Sequence, residues 1–191
     1  MLRYFSMAAV LLLMSTSVFA QGVSYSYIQA LYADVDIDVG PFDADGDGWI
    51  VAGSVPIDDD WYVFADYGSA SFDFGVDLDR FSVGAGYHAP ISSQTDWYAA
   101  LSYEDLSASA PGVSSASDDG FGLEGGLRSM ISPTFELKGS ISYADYGDDD
   151  DTALNVAGWF TISGNFALGL EASFGDTIST YGIGGRLYFD R

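Results

Sequence analysis

The chain has no cysteine, one histidine and only six lysines and arginines in 191 residues. Without cysteine there is no disulfide framework and no thiol for a lipid anchor. The six bases face 28 acids, which excludes nucleic acid as a partner, because phosphate binding needs a basic patch. One histidine leaves little for general acid–base catalysis. Long apolar runs are also missing. The apolar stretch from Met7 to Met14 is too short to cross a bilayer, and nothing after it reaches the roughly 18 residues of a membrane helix. A chain of this kind that spans a membrane does so with strands.

What is present begins with an address. Residues 1–20, "MLRYFSMAAVLLLMSTSVFA", place Arg3 before an apolar core, and Val18 and Ala20 sit three and one residues before a cut that leaves Gln21 first. This pattern predicts a signal peptide at 1–20, removed on export, and one domain over 21–191. That domain carries a net charge of −23, yet 48% of the whole chain is hydrophobic and 16% aromatic. Disorder is therefore not expected despite the charge.

Periodicity sets the class. "FALGLEASF" (166–174) places Phe166, Leu168, Leu170, Ala172 and Phe174 on one face, and "FELKGSISY" (135–143) separates Phe135, Leu137, Ile141 and Tyr143 from Glu136 and Lys138. Such alternation predicts strands with two unlike faces and almost no helix. A unit also recurs: an Ile (57, 91, 131, 162), a short polar turn, an aromatic, then an alternating strand. Ten strands are predicted near 23–35, 48–57, 61–72, 80–89, 96–105, 120–131, 135–145, 152–162, 166–174 and 179–189. Short turns alternate with mostly longer acidic loops at 36–47, 73–79, 106–119, 146–151 and 175–178, which is the habit of outer-membrane barrels. The fold class predicted is all-β: a closed antiparallel transmembrane β-barrel of about ten strands, with eight as the alternative. Register stays open, because a slip of two residues preserves every face.

Taking the aromatic-bearing face as outward gives two girdles. Trp61, Trp97, Phe135, Phe166 and Phe189 form the lower one, and Tyr67, Tyr103, Tyr143, Phe174 and Tyr181 the upper. Eight residues of tilted strand separate them, about 20 Å in height, close to the band of an outer membrane. Strand one is ambiguous, with Ile28, Ala30 and Tyr32 assigned outward. The other face points into the barrel and carries Asp66, Glu104, Glu124, Arg128, Glu136, Lys138, Glu171 and Arg186, with Arg80 and His88 also of inward parity. Heights along the strands predict a cationic layer (Arg128, Lys138, Arg186) beneath an anionic one (Asp66, Glu171). Charges so enclosed must pair. The interior reads as a side-chain plug or a very narrow wet channel, with charges that fill the lumen rather than select a solute.

The chain resembles the small outer-membrane β-barrel proteins of Gram-negative bacteria, the OmpA-like and porin-like barrels. The stretches that carry the resemblance are "GVSYSYIQALY", "DGWIVAGSVPIDDDWYVFADY", "DRFSVGAGYHAPISSQTDWYAALSYE" and "GFGLEGGLRSMISPTFELKGSISYADY". The last strand, with Gly184, Leu187 and Phe189, is similar to the signal read by the barrel-assembly machinery, although Asp190 and Arg191 follow the aromatic. The resemblance implies a fold and a place, with lipid and lipopolysaccharide around the barrel and the assembly machinery as partner during insertion. It brings no catalytic or ligand residues.

"FDADGDGWI" (42–50) starts like a calcium loop, with Asp43, Asp45, Asp47 and Gly48 at the right spacing. The twelfth position is Ser54, which cannot be a bidentate ligand, and a strand follows from Trp49. The expectation is a flexible acidic tip, with weak calcium binding at Asp43, Asp45 and Asp47 at best and no other cofactor. "GDDDDT" (147–152) reads as a second solvated acidic run. The function expected is non-enzymatic: a porin-like or structural surface protein. The alternative is a binding or adhesion module acting through acidic extracellular loops. The sequence leaves the oligomeric state open.

Overall fold

The structure, a computed structural model, describes residues 22–39, 42–112, 115–147 and 150–190. The predicted signal peptide lies outside the described residues. Ten strands follow one another: β1 (Tyr27–Val39), β2 (Phe42–Pro56), β3 (Trp61–Phe72), β4 (Val76–Ser92), β5 (Thr95–Ser109), β6 (Ala116–Ser132), β7 (Phe135–Asp145), β8 (Asp150–Ser163), β9 (Phe166–Gly175) and β10 (Ile178–Tyr188). Each pairs antiparallel with its sequence neighbours. β1 closes the ring on β10, from Tyr27 opposite Tyr188 to Ile37 opposite Ile178. Closure leaves no sheet edge, so every strand's backbone groups have partners where water is absent.

The exposure pattern is inverted relative to a water-soluble protein. Ile141, Leu170 and Ile183 are more than 60% exposed, whereas Glu136, Arg128 and Arg186 are below 5%. Both girdles are present: Trp61, Trp97, Phe166 and Phe189 at the short-turn end, and Tyr67, Tyr103, Phe174 and Tyr181 at the other, all exposed outward. Phe135 and Tyr143 keep their places in the rings but are half-buried. β1 resolves as predicted, with Ile28 and Tyr32 outward and Gln29, Leu31 and Ala33 buried.

The recurring isoleucine has a structural reason. The ladder slips by one residue between Pro90 and Ser92, Met130 and Ser132, and Thr161 and Ser163. Each slip is a bulge beside a tight turn, and the residue it leaves unpaired is Ile91, Ile131 or Ile162. With Ile57 they form an exposed apolar ring just past the lower girdle. In the remaining short turn, Asp58 Oδ1 accepts from the backbone N–H groups of Asp60 and Trp61, and in the last, Gly164 supplies a φ of +48°.

The acidic loops are a correction. Residues 36–39 and 42–47 belong to β1 and β2, so most of the predicted loop is strand. The loops at 73–79, 106–119 and 175–178 contract likewise, the first to a 3-10 turn at Asp73–Gly75. The register sets Asp34 opposite Asp47, Asp36 opposite Asp45 and Asp38 opposite Asp43. Like charges opposite one another oppose pairing. The segment "DVDIDV" nevertheless alternates strictly with β-branched residues, and these supply the buried side: Val35 is 8% exposed. Asp34, Asp38, Asp45 and Asp47 are exposed, so their repulsion is screened.

Candidate functional site

Inward parity brings the charged residues into one lumen, and strand register decides who meets whom. At the short-turn end Glu136 of β7 is the hub. Arg128 of β6 donates to its Oε1 from Nε at 3.1 Å and from Nη2 at 2.5 Å. Arg186 of β10 donates to the same oxygen from Nη1 at 3.2 Å, and Tyr188 Oη donates to Oε2 at 2.9 Å. Arg186 also donates from Nε and Nη2 to Gln29 Oε1, at 2.9 and 2.6 Å. Its guanidinium lies between two rings, 4.1 Å from the centroids of both Tyr27 and Trp159. Flat cations between aromatic faces are held by the ring quadrupoles as well as by their counter-charges. The adjacent strand makes room: Gly169 of β9 pairs with Trp159, and a Cβ on it would stand 2.5 Å from the Trp159 ring.

Higher up, Lys138 Nζ lies 2.7 Å from Glu124 Oε1, which also accepts from Tyr98 Oη and Ser140 Oγ at 2.6 Å each. Above these, Arg80 pairs with Glu104 at 2.8 Å and Asp66 at 3.7 Å, and Ser82 and Ser102 donate to Glu104. Near the loop end, burial holds the Tyr146 phenol above its ordinary pKa, while neighbouring Arg80 works against the shift. A cavity of about 360 Å³ runs from Tyr25 and Arg128 at the base, past Lys138 and Arg80, to Tyr146 and Asp151.

Every residue predicted for the lumen is there: Asp66, Glu104, Glu124, Arg128, Glu136, Lys138, Glu171 and Arg186 all face inward and all take part in ion pairs. The clean layering is a correction. Glu136 lies among the lower cations, and Arg80 lies among the upper carboxylates, so charges of opposite sign share each level. Arginine and lysine reach their partners along the strand axis, which parity alone does not reveal.

The flexible acidic tip expected at 42–50 is instead strand. Asp43, Asp45 and Asp47 lie on the extended strand β2, so neighbours in the set are about 6.8 Å apart along the backbone. Calcium ligands converge at about 2.3–2.6 Å from one ion, which needs a curled loop. Among the described residues there is no group of three or more acidic, histidine or cysteine side chains placed to hold a metal. His88 is at the short-turn end as predicted, with Nδ1 3.1 Å from Asp96 Oδ2.

The sequence places residues 23–26 in strand one, whereas the structure starts β1 at Tyr27. These residues precede β1 and enter the lumen, where Tyr25 stacks on His88 with centroids 3.9 Å apart and planes at 14°. Sequence reading missed Gln29, Trp159 and Tyr188 as members of the network. Their inward parity was the available signal, but these uncharged side chains give no sign of whom they meet.

The family model described as "Outer membrane protein beta-barrel domain" matches residues 6–158. No curated protein matches the chain. Among solved structures, the attachment invasion locus protein Ail of Yersinia pestis is 18% identical, covering 86% of this chain and 97% of that one with a TM-score of 0.46. Neisserial surface protein A is 18% identical over 88% of this chain and 100% of that one, TM-score 0.46. The translocator domain of the autotransporter NalP of Neisseria meningitidis is 10% identical over 88% and 90%, with a TM-score of 0.52. At these identities the likeness is one of fold.

Proposed function

The chain belongs to the outer membrane protein beta-barrel domain family, and from that premise we propose that it is a non-enzymatic, porin-like or structural surface protein whose lumen is closed at rest. It is exported through the leader at 1–20 and inserted by the assembly machinery, which reads the last strand. Phospholipid and lipopolysaccharide then surround the wall. The observation that carries the reading is Glu136, 1% exposed and shared by Arg128, Arg186 and Tyr188. Side chains so placed fill the periplasmic end, and their mutual pairing and hydrogen bonds offset part of the cost of burying charge. A non-enzymatic role is supported by the position of His88, whose ring is covered by Tyr25. A hydrolase base needs a nucleophile and an open face for substrate.

Purified, refolded protein in planar bilayers tests this. The expected record is silent or shows only brief openings. Sustained conductance from the unaltered protein would overturn the closed lumen.

The second reading, surface binding, is favoured by the aspartate ladder of β1 and β2. A stiff hairpin keeps its carboxylates at fixed spacing, which suits a cationic target better than a loose tip does. Binding to immobilised cationic peptide, lost when Asp34, Asp36 and Asp38 are changed to Asn, would support that alternative. Unchanged binding would remove it.

A further inference from the structure

We propose that residues 22–26 are a displaceable plug, and that withdrawing them opens a cation-preferring path through the barrel. The proposal rests on the closed-lumen reading above and adds the part that moves.

Consecutive residues of a barrel wall point alternately in and out. Ser24 and Tyr25 are adjacent and both buried, at 5% and 4% exposure. The chain has therefore left the wall at this point. Among the described residues its last backbone–backbone bond to the wall runs from Phe189 N–H to the Ser26 carbonyl, at 3.0 Å. From there it crosses the ring. Tyr25 packs on Tyr62 of β3, 4.7 Å between centroids, and on His88 of β4. The Ser24 carbonyl accepts from Arg128 Nη2 of β6 at 2.9 Å. In a ring of ten strands β6 stands opposite β1. Gly22 comes up beside the β4–β5 turn, where a Cβ on it would lie 4.0 Å from the Ser93 carbonyl oxygen. Five residues thus span the mouth.

The division of space makes this segment the seal. Trp159, Glu136, Arg186 and Tyr188 fill the side of the lumen nearest β7 to β10. The side nearest β3 to β6 is filled by Tyr25 together with Tyr62 and Tyr98 of the wall, and Tyr25 lies between His88 and the Arg128 guanidinium 4.4 Å away. Tyr25 is also a floor of the cavity above. Eight strands make a barrel that side chains alone can fill, and ten leave it wider. The extra width is where the segment sits.

The segment is held more lightly than a strand. It has no ladder of its own among the described residues. Its ties are stacking, the Arg128 bond and a 2.5 Å bond from Ser24 Oγ to Asp190. Among the described residues the buried Tyr25 hydroxyl has no hydrogen-bond partner, a cost that leaving the lumen would relieve. Once it leaves, the path is lined by Asp66, Asp96, Glu104, Glu124, Glu136 and Glu171 against Arg80, Arg128, Lys138 and Arg186. Six carboxylates against four permanent cations favour passage of cations.

The experiment compares, in planar bilayers, the unaltered barrel, a deletion of residues 22–26, Tyr25→Gly, and a Gly22→Cys/Ser93→Cys pair. Folding of each is checked by heat-modifiable gel mobility. The native chain has no cysteine, so the engineered pair is the only thiol chemistry present. Deletion and Tyr25→Gly are expected to raise open probability about tenfold or more, a modest shift of a two-state equilibrium, with reversal potentials on the cation side. The oxidised pair should abolish openings, and reductant should restore them. Folded deletion and Tyr25→Gly barrels as silent as the original would overturn the plug. If the unaltered protein conducts steadily, the closed-lumen reading fails. The plug then stands if the oxidised pair stops that current, and falls if it does not.

Discussion

Changing Glu136 to Gln removes one charge and almost no volume, so it isolates the electrostatics of the barrel base. The carboxylate is 1% exposed, and Arg128 and Arg186 are 4% and 3% exposed, so solvent screens little of the change. Oε1 accepts three guanidinium bonds and Oε2 accepts one from Tyr188. Glutamine keeps a single acceptor. If its oxygen faces the arginines, its NH2 meets the Tyr188 hydroxyl; turned round, its donors face two guanidinium groups. In either case two buried cations are left with one further carboxylate near Arg186, Glu171 at 3.5 Å. Orphaning a buried charge by removing its partner costs about 3–5 kcal/mol, and that is the loss expected here. Equilibrium unfolding in guanidinium of the barrel in detergent micelles, followed by tryptophan fluorescence, measures it. The pair Arg128→Met and Glu136→Gln should cost less together than the sum of the two, because the double variant leaves one cation fewer. A loss below about 1 kcal/mol for Glu136→Gln, with the double variant additive within about 0.5 kcal/mol, would refute the hub.

Leu170→Arg, on the outward face midway between Phe166 and Phe174, should cost about 2–4 kcal/mol in the same assay, while Ile162→Arg at the rim should cost about 0–1 kcal/mol. Equal losses at the two sites would mean that this face does not meet hydrocarbon. Changing Asp34, Asp36 and Asp38 together to Asn should raise the thermal midpoint by relieving the facing like charges of β2, and the gain should shrink at molar salt. A gain that persists undiminished in salt would point to strand propensity rather than charge.

The wall was legible because a half-lipid, half-lumen strand writes its environment at every second residue. Leu170 against Glu171, or Leu137 against Lys138, says which way each side chain turns without any tertiary information. The same rule should have extended β1, since "DVDIDV" alternates as strictly as any strand here. Its aspartates suggested a turn because aspartate is depleted in strands, yet that preference belongs to half-buried surfaces. Clear of the membrane, Asp34 and Asp36 lose little by sitting in a ladder. Pairing was less legible. Parity shows that Glu136 and Arg128 face inward, but a register slip of two residues would keep both inward and give them other neighbours. The crossing segment was not legible at all. "YSYIQALY" alternates in the same way whether Tyr25 lies in the wall or in the lumen, and only the opposite side of the ring, Arg128 and His88, distinguishes the two.

A lumen of this width imposes its own chemistry. Ten strands enclose more space than one layer of ordinary side chains fills, and leaving it wet would strand the charges that face inward in a narrow, poorly screened column. The chain fills the base in two ways. Trp159 and Tyr188 reach across from one side, with Gly169 cut back to admit the first, and Tyr25 is carried in on free backbone from the other. The two fillings differ in kind. The first is made of side chains on paired strands and held by hydrogen bonds to Glu136 and Glu171, so its backbone stays fixed in the wall. The second hangs on a five-residue strap whose anchor is one end of β1, so it can move while every strand stays paired. If the plug proposed above is right, conduction begins with the displacement of residues 22–26, and mutations confined to the wall should alter stability before they alter permeability.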